Sequence, residues 1–284
     1  MNTKMQTKNI RIWALLLCIP LVLAGCESTM HRDEPGGLSV SLAWQDAEES
    51  ASVNDIRLWI FSAADGSLVK GEHFSDAKAL SAERYTLDEG EYKVVVAVNL
   101  TSPFSAENES TLSNLLFFLS ESEASPEHAF WGTADATIKG SNDVCIVREQ
   151  LGRIMAELTV TVSNAPASAK MSGTVNGVAT GFYPGSGLSY GSASVTLPSV
   201  QAQDGVLQMQ SARVMPTSSR ETKTRITMEI SPSETDPVRI IDIEAPVMEA
   251  GGKYEVTIDY RKDFTVVIDS WTEGLIVDPV LPLW

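Results

Sequence analysis

The sequence predicts an all-β protein, organised as two β-sandwich domains in tandem with at most one short helix. Three observations predict it. Apolar and polar residues alternate with a period of two in segment after segment. Gly, Pro, Ser and Asn turns cut the chain into short strand-sized pieces. Roughly 250 residues beyond the N-terminal leader would make an outsized single sandwich and two ordinary ones.

The first strand is Leu38, Val40, Leu42 and Trp44 alternating with Ser39, Ser41 and Ala43, which predicts one buried face. Ile56, Leu58 and Ile60 alternate with Arg57, Trp59 and Phe61, and Asp65-Gly66 supplies the turn that follows. GEYKVVVAVN (90–99) starts at a glycine and is almost continuously apolar, the pattern of a central strand. Leu112, Leu115, Leu116 and Leu119 stand at i, i+3, i+4 and i+7, so the one helix is expected there, capped by Ser110 or Thr111. Ile154, Ala156, Leu158, Val160 and Val162 begin a second series of strands, continued by TRITMEIS (224–231), VRIIDIE (238–244), YEVTIDY (254–260) and FTVVID (264–269). The polar loop KGSND places the seam near residues 140–152, between a domain of residues 38–145 and one of 146–284.

Residues 1–25 read as a leader. Lys4, Lys8 and Arg11 precede a twelve-residue apolar run, Ile12 to Leu23, too short to span a bilayer and suited to a signal peptide. Leu23-Ala24-Gly25-Cys26 then fits cleavage before a lipidated cysteine. With two or three acyl chains, at ~0.8 kcal/mol per buried methylene, Cys26 would be held in a membrane permanently. Residues 26–37 (CESTMHRDEPGG) read as the flexible tether between lipid and first strand.

Losing the leader takes the formal charge from −16 to −19. That surface excludes nucleic acid, whose binding requires Lys and Arg against phosphates. Cys18 leaves with the leader and Cys26 carries lipid, so Cys145 has no intramolecular disulfide partner. Gly187-Leu188-Ser189-Tyr190-Gly191 matches the nucleophile-elbow pattern, but no histidine follows it; the last is His128. Ser67-Leu68-Val69-Lys70 matches S-x-x-K without a companion motif. His31, His73 and His128 lack metal-ligand spacing. The acidic groups Asp46, Glu48, Glu49 and Glu121, Glu123 form no calcium-loop pattern. The expectation is a protein that is not an enzyme and has no catalytic residue, metal or cofactor.

Several segments together resemble one family. They are the lipobox with its acidic tether, LSVSLAW, VNDIRLWIFSAADGSLV, LDEGEYKVVVAVN, VREQLGRIMAELTVTV, and AGGKYEVTIDY followed by FTVVIDSWTEG. They are similar to fimbrillin-like lipoproteins of gut and oral anaerobes, in particular FimB-type anchor subunits of type V pili. The resemblance implies that the two sandwiches are transthyretin-like and that subunits join by strand exchange. In stalk subunits a protease cuts after an Arg or Lys beyond the first strand, and a neighbour's C-terminal segment fills the opened groove. Anchor subunits keep both lipid and first strand.

Between Trp44 and Ile56 this chain reads QDAEESASVND, with no Lys or Arg. Arg32 precedes the first strand and Arg57 lies inside the second, so the stalk-type cleavage site is missing. The resemblance therefore implies an anchor or accessory subunit with Leu38, Val40, Leu42 and Trp44 retained. It would be lipid-anchored in the outer membrane, surface-exposed, and partnered by a fimbrial stalk subunit. The alternative is a distal adhesin or surface carbohydrate-binding lipoprotein with a glycan or host ligand. In GLIVDPVLPLW (274–284), Leu275, Val277, Val280, Leu283 and Trp284 could form a donor strand. The segment could equally be a strap on its own domain, since Pro279 and Pro282 cannot donate ladder hydrogen bonds.

Overall fold

The computed structural model describes residues 36–44, 53–121, 127–140, 144–219, 223–261 and 266–271. In chain order the first half holds β1 (Gly36–Trp44), β2 (Ile56–Ser62), β3 (Leu68–Phe74), α1 (Ala77–Ala82), β4 (Tyr85–Leu87), β5 (Gly90–Val98), β6 (Phe104–Glu107), β7 (Leu116–Leu119), β8 (Phe130–Ile138) and β9 (Val144–Arg153). The second half holds β10 (Ala156–Ser163), β11 (Lys170–Val178), β12 (Gly181–Tyr183), β13 (Leu188–Tyr190), β14 (Ala193–Gln201), β15 (Leu207–Val214), β16 (Arg225–Ser231), β17 (Arg239–Glu244), β18 (Lys253–Asp259) and β19 (Val266–Trp271). Among the described residues the fold is all-β apart from α1.

Seven strands are hydrogen-bonded in the order β3-β2-β5-β8-β9-β1-β4. This sheet folds over on itself, because β8 and β9 share only two residue pairs, Phe130↔Arg153 and Trp131↔Gly152. Leu38 and Val40 of β1 and Val147 and Leu151 of β9 thereby join one cluster with Ile56, Leu58 and Ile60 of β2 and Val94, Val96 and Val98 of β5. The alternate residues of β2 and β5, Trp59, Phe61, Val95 and Ala97, are buried on the opposite face. Their cover is the sheet β13-β12-β7-β6, which contributes Phe104, Phe117 and Leu119. Two-sided burial explains the near-continuous apolar run of β5. Each such side chain contributes about 1.5–3 kcal/mol on burial.

The second half pairs two four-stranded sheets, β15-β10-β18-β19 and β14-β11-β16-β17. Leu158, Val160, Val162, Val256 and Ile258 from the first meet Met171, Val175, Ile226, Met228 and Ile230 from the second. Strand β10 runs parallel to β18, as β1 runs parallel to β9. The same cluster continues into Trp59 and Phe117, so the halves share apolar surface rather than meeting through a linker. The expected boundary between residues 145 and 146 falls inside β9, which pairs with β1 as far as Leu151. The strand order changes only after Arg153.

The helix expected over residues 112–119 is a correction. Residues 111–114 turn, with Leu115 N–H bonded to Thr111 O, and Leu116–Leu119 form β7. A helix would bury Leu115, Leu116 and Leu119 on one face and turn Phe117 away. The strand, hydrogen-bonded to β6 and β12, buries Phe117 completely as well. The actual helix, α1, carries one buried residue, Leu80, and is started by Asp76, whose carboxylate accepts from the Lys78 and Ala79 amides.

Candidate functional site: the seat of the first strand

Strand β1 lies between β9 and β4. Its parallel ladder with β9 covers eight residue pairs, from Gly37↔Val144 to Trp44↔Leu151. Its antiparallel ladder with the short β4 covers three, Gly36↔Leu87 to Leu38↔Tyr85. Leu38 and Val40 are fully buried, and Leu42 and Trp44 pack half-buried on the same cluster. The Trp44 ring meets Phe130 edge-on at 5.3 Å between centroids. The strand thus plugs a groove, with main-chain pairing supplied by β9 and alternate side chains filling core positions. Ser39 and Ser41 point the other way, and Ser41 Oγ bonds the Val147 carbonyl at 3.4 Å.

Beside this strand, on β9, lies a buried carboxylate. Glu149 stands opposite Leu42 in the β1–β9 ladder and is 2% exposed. Its Oε2 has no hydrogen-bond partner. Burial raises its pKa to about 7, against a lowering pull from Lys93. A Cβ at Gly132 would overlap Glu149 Oε1 and come within 2.7 Å of the Gln150 carbonyl, so the glycine makes room for the carboxylate. Sequence reasoning missed Glu149, although it shares parity with Val147 and Leu151 on an otherwise apolar strand face.

A cleft of about 460 Å³ opens where the two halves meet. Trp131, Ile154, Phe182, Leu188, Met215 and Met248 line it. Leu188 at its rim is 66% exposed and Val247 44%. One wall is fixed by Thr217, whose N–H donates to Met248 O and whose Oγ1 accepts from the Met248 N–H at 2.8 Å. Thr217 Oγ1 also bonds Thr224 Oγ1 at 2.7 Å, both residues being buried. Thr217→Val leaves the Met248 amide and the Thr224 hydroxyl without this partner, so a loss of about 1–3 kcal/mol is expected in urea denaturation.

The residues singled out for chemistry are scattered. Ser189 lies in the middle of β13 and its Oγ donates to Thr217 O at 3.3 Å, with β14 rather than a helix following. Ser67 bonds Asp65 in the turn, and Lys70 pairs with Glu72 at 2.9 Å. His73 pairs with Asp55, and His128 with Glu157 at 2.9 Å. Cys145 is a free, half-buried thiol. Among the described residues no group of three His, Cys, Asp or Glu side chains is placed to hold a metal, and no helix is long and apolar enough to cross a membrane. Cys26 and the segment containing Leu275, Val277, Val280, Leu283 and Trp284 lie outside the described residues.

No curated protein sequence matches the chain. Solved structures do. The fimbrial anchor protein Mfa2 from Porphyromonas gingivalis superposes with a TM-score of 0.58 at 14% identity, covering 86% of this chain and 99% of that one. A candidate adhesin from Bacteroides thetaiotaomicron gives a TM-score of 0.60 at 14% identity, over 84% and 96%. Candidate polysaccharide-binding proteins from the same organism give 0.59 at 12% identity, over 85% and 97%. These likenesses are of fold. A family model, fimbrillin-A associated anchor proteins Mfa1 and Mfa2, matches residues 30–276. With most of the chain matched by that model, the protein belongs to the fimbrillin-A associated anchor family.

Proposed function

We propose that this chain is a non-enzymatic anchor or accessory subunit of a fimbria, tied to the outer membrane through lipid on Cys26 and joined to a stalk subunit by β-strand complementation. The observation that carries the reading is the seated first strand. Eight ladder pairs hold β1 to β9, and its inner side chains complete the first sandwich. A subunit whose groove is already filled by its own strand has no vacancy there for a neighbour's donor. It can end a fibre, with the pairing to the stalk coming instead from its own apolar residues 274–284, among them Leu275, Val277, Val280, Leu283 and Trp284. Family membership supports a fimbrial partner and a location at the cell surface.

Deletion of the gene is the test: fimbriae should still be made but be recovered in the medium. Normal attachment and length after deletion would overturn the reading. Separately, Cys26→Ser should abolish acyl-chain incorporation and move the protein from the membrane pellet to the soluble fraction. Metabolic labelling with a palmitate analogue reads this directly.

A further inference from the structure

Three chain ends of the sheet β15-β10-β18-β19 open on the cleft. Ile154 precedes β10, Met215 follows β15, and Ala250 lies just before β18, and all three line it. Strand β19 runs antiparallel to β18, so its last residue, Trp271, pairs with Lys253, the first residue of β18. Strand β19 therefore ends at the cleft end of the sheet, thirteen residues before Trp284. Thirteen residues at ~3.3 Å each reach about 40 Å when extended. Crossing three strand spacings, from β19 to β15, needs only about 14 Å.

The chemistry of the segment suits the cleft. Asp278-Pro279-Val280-Leu281-Pro282-Leu283-Trp284 carries prolines three apart among apolar residues. Such a sequence favours a polyproline II conformation that loses little entropy on docking and does not depend on ladder hydrogen bonds. Aromatic-lined grooves take segments of this kind. Here the Trp131 and Phe182 rings pack in a tilted arrangement, 4.8 Å between centroids, in the cleft wall, and the lining residues Leu188 and Val247 stand exposed. We propose that this cleft is the seat of the chain's own C-terminal segment, residues 274–284, with the large side chains of Leu283 and Trp284 filling its apolar floor. The inference does not depend on lipidation or on fimbrial assembly. It gives the proposed donor segment a resting place in the isolated protein, from which a stalk subunit would have to draw it.

Hydrogen–deuterium exchange on the full chain tests this. Amides 187–190 and 247–250 should be protected in the parent protein. They should exchange roughly tenfold or more faster in a full-length variant with Leu275→Ser, Val277→Ser, Leu283→Ser and Trp284→Ser. Conversely, the rim variant Leu188→Asp/Val247→Asp alters only exposed positions, and carboxypeptidase should remove Trp284 and Leu283 from it faster than from the parent. Equal exchange and equal digestion would overturn the proposal. Protection that rises with protein concentration would also overturn it, by assigning the cleft to a second copy.

Discussion

A chain lacking residues 36–44 is expected to lose its first sandwich and to regain it when the missing strand is supplied as a peptide. Removing β1 strips eight ladder pairs from β9 and three from β4. It also uncovers the cluster that Leu38 and Val40 complete at zero exposure. At about 1.5–3 kcal/mol per buried side chain, those two alone represent a large part of a typical domain's net stability. The truncated protein should bind a hydrophobic dye, self-associate through the opened edge, and melt well below the parent. The peptide GGLSVSLAW should restore the melt, whereas the same peptide with Leu38→Asp and Val40→Asp should not, because both charges would enter an apolar core. An unchanged melting curve after truncation would mean that β1 is an ornament on a sandwich complete without it.

The second large effect is a pH dependence set by Glu149. The folded state raises its pKa from 4.5 to about 7 by burial, so folding favours the protonated form. Well below pH 4.5 the carboxyl is neutral in both states and there is no penalty. As pH rises from 4.5 through 7 the unfolded chain ionises first, and stability falls until the folded-state group ionises too. Above that the penalty is level at about 3 kcal/mol. Glu149→Gln removes the titration while nearly keeping the shape. Relative to the parent it should gain about 3 kcal/mol at pH 8 and almost nothing at pH 4. Urea melts of both proteins at the two pH values read the difference. A constant offset would show that Glu149 ionises freely in the fold. Because Glu149 stands opposite Leu42 in the ladder, the same titration bears on how tightly the first strand is held.

Much of the fold was legible in local pattern. Strand β18 alternates cleanly because Tyr254, Val256 and Ile258 are buried and Lys253, Glu255 and Thr257 face solvent. Strand β5 is apolar throughout because it is buried on both faces. The helix was misplaced for a related reason. Two-sided burial of β7 produces an apolar run whose leucines happen to fall at helical spacing, and a four-residue strand is too short for period two to speak against it. Helix α1 was overlooked because its boundary signal is a side-chain cap at Asp76 rather than an apolar stripe.

The candidate site was legible only along the chain. Leu38, Val40, Leu42 and Trp44 mark a strand with one inward face, but its parallel partner lies about a hundred residues away, and nothing local in LSVSLAW names Val144–Leu151. The cleft was invisible for the same reason: Trp131, Leu188, Met215 and Met248 converge only in the folded chain. Glu149 could have been found from parity alone once Val147 and Leu151 were taken as an inward face. The partner of β9 needed the sheet order, since β9 reads locally like the start of the second half although it pairs with β1.

An anchor role requires a first strand that is never cut away, and intact-mass spectrometry of the protein purified from cell envelopes tests that most directly. The expected polypeptide begins at Cys26, carries added acyl mass, and includes all of residues 36–44. A mature N-terminus beyond Trp44 would contradict it, leaving an open groove where β1 is seated and making the chain a subunit that accepts a neighbour's strand.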